Sequence, residues 1–278
     1  MIALCSGCGK KPGSPTPAAD QSVARGDRVV IEQTAATFFE GRVLAVDGQR
    51  LRVQKADEGD PLTVESSDAY RLPPPARDHR AGELAICSTG GTRWIGCRLE
   101  QQNGGAWRAR GSAGETFEVD APRLLSPTPV TELNLRRHFD RAEQRERFAR
   151  DAERAGQPRA PSGWRPQARR RVVARHGSGW FSATVHEIED ERLHVIFVSD
   201  ARTAELAYGD VVPEPPYARP LRTGDFALLR PEAVAQAWQP VRIERATPAG
   251  FRVADIGGAT REVQNTDLLP LVADGAQL

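Results

Sequence analysis

The chain is short of lysine, methionine and cysteine, and it has no strong charge of either sign. Its 278 residues include one Met and four Cys, and nearly all basic residues are Arg. Lys occurs only at Lys10, Lys11 and Lys55. The net charge of +1 predicts no strong attraction to nucleic acid or to anionic membranes from the global field alone. A content of 39% hydrophobic and 27% charged residues is typical of a globular protein.

Sequence motifs that carry catalysis are also missing. There is no Gly-x-Ser-x-Gly elbow, no phosphate-binding loop and no His-x-x-x-His pair. His176, His186 and His194 lie in one segment with Asp190 and Glu191. Their strand and turn positions favour an incidental exposed cluster over a ligand set. We therefore expect a protein that is not an enzyme and that has no cofactor and no metal site.

A repeated pattern of short predicted strands organises the chain. Each copy has an aromatic residue at the start of its second strand and ends on an Asp before a short apolar pair. The aromatic residues are Phe39, Trp94, Phe181 and Trp238, and the closing residues are Asp68, Asp120, Asp210 and Asp267. Three copies open on Gly26, Gly82 and Gly224, and the third opens on Arg169-Arg170-Arg171. The nearly constant spacing predicts four small antiparallel barrels.

The insertion between the second and third copies divides the barrels into two tandem pairs. Thr128-Pro129 predicts the start of a helix, and Gly156 with Pro158 predicts its end. One face of this helix would carry Leu135, Phe139, Ala142, Ala149 and Ala152. The predicted segments are a tether at 1–20, barrels at 21–76 and 77–127, a helical connector and extended link at 128–165, and barrels at 166–217 and 218–278.

The third copy resembles the Tudor and agenet domains across residues 171–213. The resemblance lies in Trp180-Phe181-Ser182-Ala183-Thr184-Val185, Val195-Ile196-Phe197 and Asp210-Val211-Val212-Pro213. It implies five-stranded barrels of Src-homology-3-like topology, in a mainly β protein with one helix. In that family a methylated Lys or Arg is held in an aromatic cage.

The candidate ligand-binding aromatics are Phe181 and Phe197, which the resemblance implies, and Trp180 and Tyr208, which could contribute from adjacent loops. Phe181 and Phe197 would be two walls of a cage. The other cage positions fall on Ala174 or Arg175, on Asp200 and on Arg202, so the cage is incomplete. The alternative is that the recurring aromatics fill the barrels or pack one barrel on the next. Trp180 alternates with Phe181 along a strand, so we expect opposite faces, with Trp180 the better candidate for solvent.

The first residues resemble the lipobox of bacterial lipoproteins. Leu4-Cys5-Ser6-Gly7-Cys8 would place the lipid on Cys8, and the Pro- and Ser-containing stretch up to Asp20 would be the tether. Fewer residues precede Cys8 than a signal peptide requires, so we expect either a true start upstream of Met1 or a truncated sequence. One alternative is a zinc knuckle at Cys5-x-x-Cys8, although two further ligands are missing. The other is an N-terminus without any such role.

Two further cysteines lie on neighbouring predicted strands of the second copy. Adjacent antiparallel strands bring such residues within disulfide reach, so Cys87 and Cys97 are predicted to form a disulfide. A disulfide would suit the periplasm or the cell surface. Two buried free thiols are the alternative.

Together these features predict a non-catalytic binding or scaffolding protein of the bacterial cell envelope. It would be a membrane-anchored lipoprotein facing the periplasm or surface. The expected partner is a protein, a peptide or a surface polymer rather than nucleic acid. The alternative is a cytoplasmic reader of methylated protein or of nucleic acid.

Overall fold

The computed structural model describes residues 23–56, 59–190, 192–215, 220–233 and 235–273. These residues form antiparallel β-sheets and one α-helix, so the prediction of a mainly β protein with one helix is confirmed. The chain divides into two compact units between Phe139 and Asp140. We call them unit 1 and unit 2.

Unit 1 begins with five strands that we call repeat 1. They are β1 (Arg28–Thr34), β2 (Thr37–Asp47), β3 (Arg50–Lys55), β4 (Leu62–Glu65) and β5 (Ala69–Leu72). Consecutive strands from β1 to β4 pair in antiparallel fashion, and β5 pairs with β1. Alternating side chains of these strands, including Val29, Ile31, Leu51 and Val53, form the internal core of the repeat.

Repeat 2 has the same strand pairing. Its strands are β6 (Leu84–Gly90), β7 (Arg93–Asn103), β8 (Ala106–Gly111), β9 (Thr116–Asp120) and β10 (Leu124–Leu125). Strand β7 also pairs with β2 of repeat 1, so the two repeats share one ten-stranded sheet. A separate internal core lies inside repeat 2, with Leu99 and Trp107 among its members.

The helix α1 (Pro129–Arg154) follows and is shared by the two units. It begins directly after Thr128, whose side-chain oxygen accepts a hydrogen bond from the Thr131 backbone N–H at 3.3 Å. This contact is the N-cap that the sequence predicted. Thr131 Oγ1 in turn donates to the Glu32 carboxylate at 3.2 Å. Burial raises the pKa of Glu32, the hydrogen bond from Thr131 opposes that shift, and the nearby charge of Asp68 adds to it.

The apolar face of the helix differs from the prediction at one position. Leu135 and Phe139 are buried in unit 1, and Ala152 is buried in unit 2. Ala149 is exposed, whereas the neighbouring Phe148 is half-buried. The Phe148 ring packs edge-to-face on Phe226, with 5.2 Å between the centroids.

Unit 2 contains repeats 3 and 4. Repeat 3 consists of β12 (Arg171–His176), β13 (Gly179–Glu189), β14 (Arg192–Phe197), β15 (Thr203–Ala207) and β16 (Val211–Pro213). Repeat 4 consists of β17 (Phe226–Leu229), β18 (Gln239–Thr247), β19 (Gly250–Ala254), β20 (Thr260–Val263) and β21 (Leu268–Val272). The short β11 (Gln157–Pro158) pairs with β21.

The sheets are open rather than closed barrels. In each repeat the order is fifth, first, second, third and fourth strand, and no ladder joins the fourth to the fifth strand within the described residues. A 3-10 turn connects these two strands instead. The turns are Ser66–Asp68, Ala121–Arg123, Tyr208–Asp210 and Asn265–Asp267. Asp120 therefore precedes its turn, and Arg123 occupies the place that Asp has in the other repeats.

The residue that opens each repeat has a constant backbone role. Its N–H donates to the carbonyl of Val43, Leu99, Val185 or Ile243 on the second strand. The donors are Gly26 (φ 90°), Gly82 (φ 86°), Arg169 (φ 64°) and Gly224 (φ 93°). A left-handed conformation favours glycine. The third repeat thus keeps the backbone geometry of the others with a residue that is strained there.

Candidate functional site

A β-bulge in the second strand of each repeat fixes how the repeats align. The register shifts directly after Val43, Leu99, Val185 and Ile243. Counted back from the bulge, the equivalent aromatic residues are Phe38, Trp94, Trp180 and Trp238. The sequence alignment, which used Phe39 and Phe181, is therefore wrong by one residue in repeats 1 and 3.

The four equivalent aromatic residues pack the two repeats of each pair together. Each is at most 6% exposed. They belong to one cluster between repeats 1 and 2 and to another between repeats 3 and 4. The Trp238 backbone N–H donates to the Trp180 carbonyl at 2.8 Å, and Trp238 Nε1 donates to Ser182 Oγ at 3.1 Å. This arrangement matches the expected packing of one repeat on the next.

Trp180 is consequently not the solvent-facing aromatic residue that the sequence suggested. It is 6% exposed and lies in the cluster between repeats 3 and 4. Phe181 packs against the internal core of repeat 3 instead. The two rings do point to opposite faces, as strand alternation predicted.

Phe181 forms an aromatic trio with Phe197 and His176. The ring centroids are 6.3 Å apart for Phe181 and Phe197, 6.2 Å for Phe181 and His176, and 5.0 Å for Phe197 and His176. Phe197 is 3% exposed, Phe181 is half-buried and His176 is exposed. The trio is thus covered on the side of Phe197 and open to solvent on the side of the other two rings.

These distances determine how the trio could hold a cation. Rings with centroids 5.0 to 6.3 Å apart are already in contact with each other, so no gap for an ammonium group remains between them. A cation can still lie within about 6 Å of a centroid on an outer ring face. The arrangement is a shallow platform at Phe181 and His176 rather than an enclosed cage.

Repeat 1 has a related arrangement in which the cation comes from the chain itself. Phe39 occupies the position of Phe181, and Lys55 occupies the position of Phe197 in the strand register. Lys55 Nζ lies 4.6 Å from the centroid of the Phe39 ring. The ring at this position can therefore accept a cation. Repeats 2 and 4 have Ile95 and Gln239 there.

The other predicted ligand-binding positions surround the trio but make polar contacts of their own: the Arg202 carbonyl accepts the Phe197 backbone N–H at 2.9 Å, and Tyr208 packs against the same core as Phe181. The Tyr208 hydroxyl donates to the Asp190 carbonyl at 3.0 Å, and its ring is half-buried. Asp200 and Arg202 contact each other in the turn after β14, where an Asp200 side-chain oxygen accepts the Arg202 backbone N–H at 3.1 Å.

Sequence reasoning missed His176, although a signal for it was present. Ala174 faces the internal core of repeat 3. Side chains two positions apart on a strand point to the same face, so His176 is to be expected on the side of Ala174. The sequence alone predicts that the exposed histidines are incidental. His194 does contact Glu189 at 3.5 Å, but no group of three or more His, Cys, Asp or Glu side chains that could hold a metal ion occurs in the part of the chain that the structure describes.

The cysteines fall into two groups. Cys87 and Cys97 form a disulfide in the core of repeat 2, with their Cα atoms 6.0 Å apart. Cys8, the predicted lipid attachment site, and Cys5 lie outside the described residues. The helix α1 is too polar to cross a membrane, and no other described segment is a long helix.

Comparison with known proteins gives no functional assignment. No protein-family model and no curated protein matches the chain. Among solved structures, it is similar to the four MBT repeats of Drosophila melanogaster Sfmbt, crystallised in complex with the peptide RHR(me)KVLR. The identity is 10%, the alignment covers 90% of this chain and 88% of that one, and the TM-score is 0.16. At that score the likeness shows neither a function nor a ligand for this chain.

Proposed function

We propose that the chain is a non-catalytic binding or scaffolding protein of four Tudor-like repeats in two pairs. Repeat 3 would bind a peptide whose cationic side chain lies on the face of the Phe181 ring. The observation that supports this most is the open side of the aromatic trio. In repeat 1 the matching ring of Phe39 is covered by the chain's own Lys55 at 4.6 Å. Repeat 3 has Phe197 in place of that lysine, so the cation would come from a partner.

The shape of the trio limits the strength of this contact. A cation–π contact at an exposed site contributes about 0.5–1 kcal/mol. The peptide must therefore obtain most of its binding free energy from the surface around the trio. Because the platform does not enclose the cation, we expect little discrimination between Lys and methylated Lys. The alternative function, a reader of methylated protein, requires such enclosure.

Peptide titration of the full chain tests this proposal. Three short peptides that differ only in a central Lys, trimethyl-Lys or Gln would be added while the side-chain NMR signals of His176 and Phe181 are followed. We expect both cationic peptides to shift these signals and the Gln peptide to leave them unchanged. Phe181→Leu should abolish the shifts of the His176 signals, and Phe39→Leu in repeat 1 is the matched control that should keep them. Equal shifts from the Gln peptide, or unchanged binding by Phe181→Leu, would rule the platform out.

Location in the cell envelope is a separate part of the proposal, and it is supported only by the sequence around Cys8. Its test is the intact mass of the protein expressed from its native locus with the upstream sequence included. A mature chain that starts at a lipid-modified Cys8 is the expected result. An unmodified chain that keeps Met1 would favour the cytoplasmic alternative.

A further inference from the structure

Unit 1 contains an open groove of about 640 Å³ where repeats 1 and 2 meet. Its walls come from both repeats. Repeat 1 contributes Arg42 on β2 and the Pro73-Pro74 segment after β5, and repeat 2 contributes Trp94 on β7 and Arg123 in the 3-10 turn after β9. We call it the arginine groove. Its volume is in the range of pockets that hold small ligands or short peptide segments.

The acidic side chains of the groove are already neutralised. Glu40 accepts a hydrogen bond from Arg28 Nε at 2.7 Å. Asp27 forms an ion pair with Arg71 at 3.1 Å and also accepts the Ala24 backbone N–H at 2.9 Å. These two carboxylates therefore have little free charge to offer a cationic ligand.

The two remaining arginines of the groove have no such partner. Arg42 and Arg123 are exposed, and neither makes an ion pair or a side-chain hydrogen bond within the described residues. Arg123 is also specific to repeat 2, because the matching 3-10 turns of the other three repeats end in Asp. The groove thus carries two uncompensated positive charges that the repeat pattern does not require.

Trp94, which lines the groove, has a buried hydrogen-bond donor without a partner among the described residues. Its ring is 4% exposed, and Nε1 has no acceptor among the residues that the structure describes. In unit 2 the equivalent Trp238 Nε1 donates to Ser182 Oγ. Glu40 occupies the Ser182 position in unit 1, but Arg28 engages its carboxylate. A buried donor without a partner costs free energy.

From these observations we infer that the arginine groove binds an acidic peptide segment. Carboxylates of the ligand would pair with Arg42 and Arg123, because a planar guanidinium matches a carboxylate with two parallel hydrogen bonds. Apolar side chains of the ligand would lie against Pro73, Pro74 and Trp94. Nucleic acid fits less well, since tight phosphate binding uses rows of six or more cations and this groove offers two.

Fluorescence anisotropy of the full chain with the labelled peptide EPLEEPLE as probe tests the inference. We expect saturable binding that weakens as salt rises from about 0.05 M to about 0.5 M, because exposed charges are screened. The neutral peptide QPLQQPLQ should bind at least about tenfold more weakly, since each exposed ion pair contributes up to about fivefold. An unlabelled thymidine oligonucleotide should compete poorly.

Variants of the groove arginines provide the matched comparison. Arg42→Glu/Arg123→Glu should lose about tenfold or more in affinity, because attraction is replaced by repulsion at two points. Arg52→Glu/Arg80→Glu changes the net charge equally, outside the groove, and should lose less than about threefold. Arg42→Gln/Arg123→Gln, with far-UV circular dichroism on all variants, separates a binding defect from misfolding.

Three results would overturn the inference. One is the absence of saturable binding of EPLEEPLE to the wild-type chain. Another is an equal loss of affinity in the groove variant and the control variant. The third is displacement of the peptide by the oligonucleotide at lower concentration than by unlabelled EPLEEPLE, which would identify a nucleic-acid site instead.

Discussion

The contact between Gly96 and Leu135 is the sharpest test of how helix α1 is attached to unit 1. Gly96 lies on β7, and its backbone N–H donates to the Ala36 carbonyl at 2.8 Å. A Cβ atom added at Gly96 would overlap the Leu135 side chain of the helix. Leu135 is fully buried between repeats 1 and 2, so it has little room to move. Glycine is therefore required here by space rather than by backbone conformation.

The expected magnitudes follow from packing. Gly96→Ala should destabilise the chain by about 1–3 kcal/mol, the usual range for overpacking a core. Leu135→Ala alone should cost about 2–5 kcal/mol, because it leaves a cavity. In the Leu135→Ala background the overlap is gone, so Gly96→Ala should cost close to zero. The predicted coupling free energy between the two positions is therefore about 1–3 kcal/mol.

Urea unfolding followed by far-UV circular dichroism measures all four members of this cycle. Gly209→Ala is the matched control, because Gly209 has no positive φ and an added Cβ would meet nothing within 4 Å. It should be neutral or stabilising by up to about 1 kcal/mol. The described docking of the helix would be refuted if the Gly96→Ala variant were as stable as the wild type. It would also be refuted if Gly96→Ala lowered the free energy of unfolding equally in the wild-type and Leu135→Ala backgrounds.

Three further predictions concern other parts of the chain. Arg169→Gly should stabilise the protein by up to about 1 kcal/mol in the same unfolding assay, because glycine relieves the left-handed backbone at φ 64°. Glu32→Gln should become more stable relative to wild type as the pH rises from 4 to 7. The folded wild-type protein has a raised Glu32 pKa, so it loses stability when Glu32 ionises, whereas the Gln side chain does not ionise. The Gln amide oxygen can still accept the hydrogen bond from Thr131. Reduction should add two protons to the intact mass through Cys87 and Cys97, and an unchanged mass would mean free thiols.

The repeat pattern was visible in the sequence, but its register was not. Repeats 1 and 3 carry two consecutive aromatic residues, Phe38-Phe39 and Trp180-Phe181, whereas repeats 2 and 4 carry a single Trp. Either member of a doublet can be aligned with the single Trp. Only the β-bulge selects the first member, and a bulge is a property of strand pairing that side-chain alternation does not reveal.

The candidate sites were predicted only in part for a similar reason. Phe181 and Phe197 could be identified by resemblance to a family, whereas His176 has no counterpart in that pattern. The arginine groove was not predicted in any detail, because Arg42 and Arg123 lie far apart in sequence and meet only when β2 pairs with β7. Contacts between repeats depend on which strand of one repeat pairs with which strand of the next, and the hydrophobic pattern within a repeat does not specify this pairing.

The pairing of repeats explains why one position of the second strand differs in residue type from repeat to repeat. In every repeat the first aromatic position, occupied by Phe38 in repeat 1, is buried between two repeats and is held aromatic by packing. The next residue points to the opposite face and has no such constraint. It is Phe39 covered by Lys55 in repeat 1 and Phe181 in the open trio of repeat 3. Ligand specificity should therefore be sought where a repeat departs from the common pattern, as at Phe197 and Arg123, rather than in what all four share.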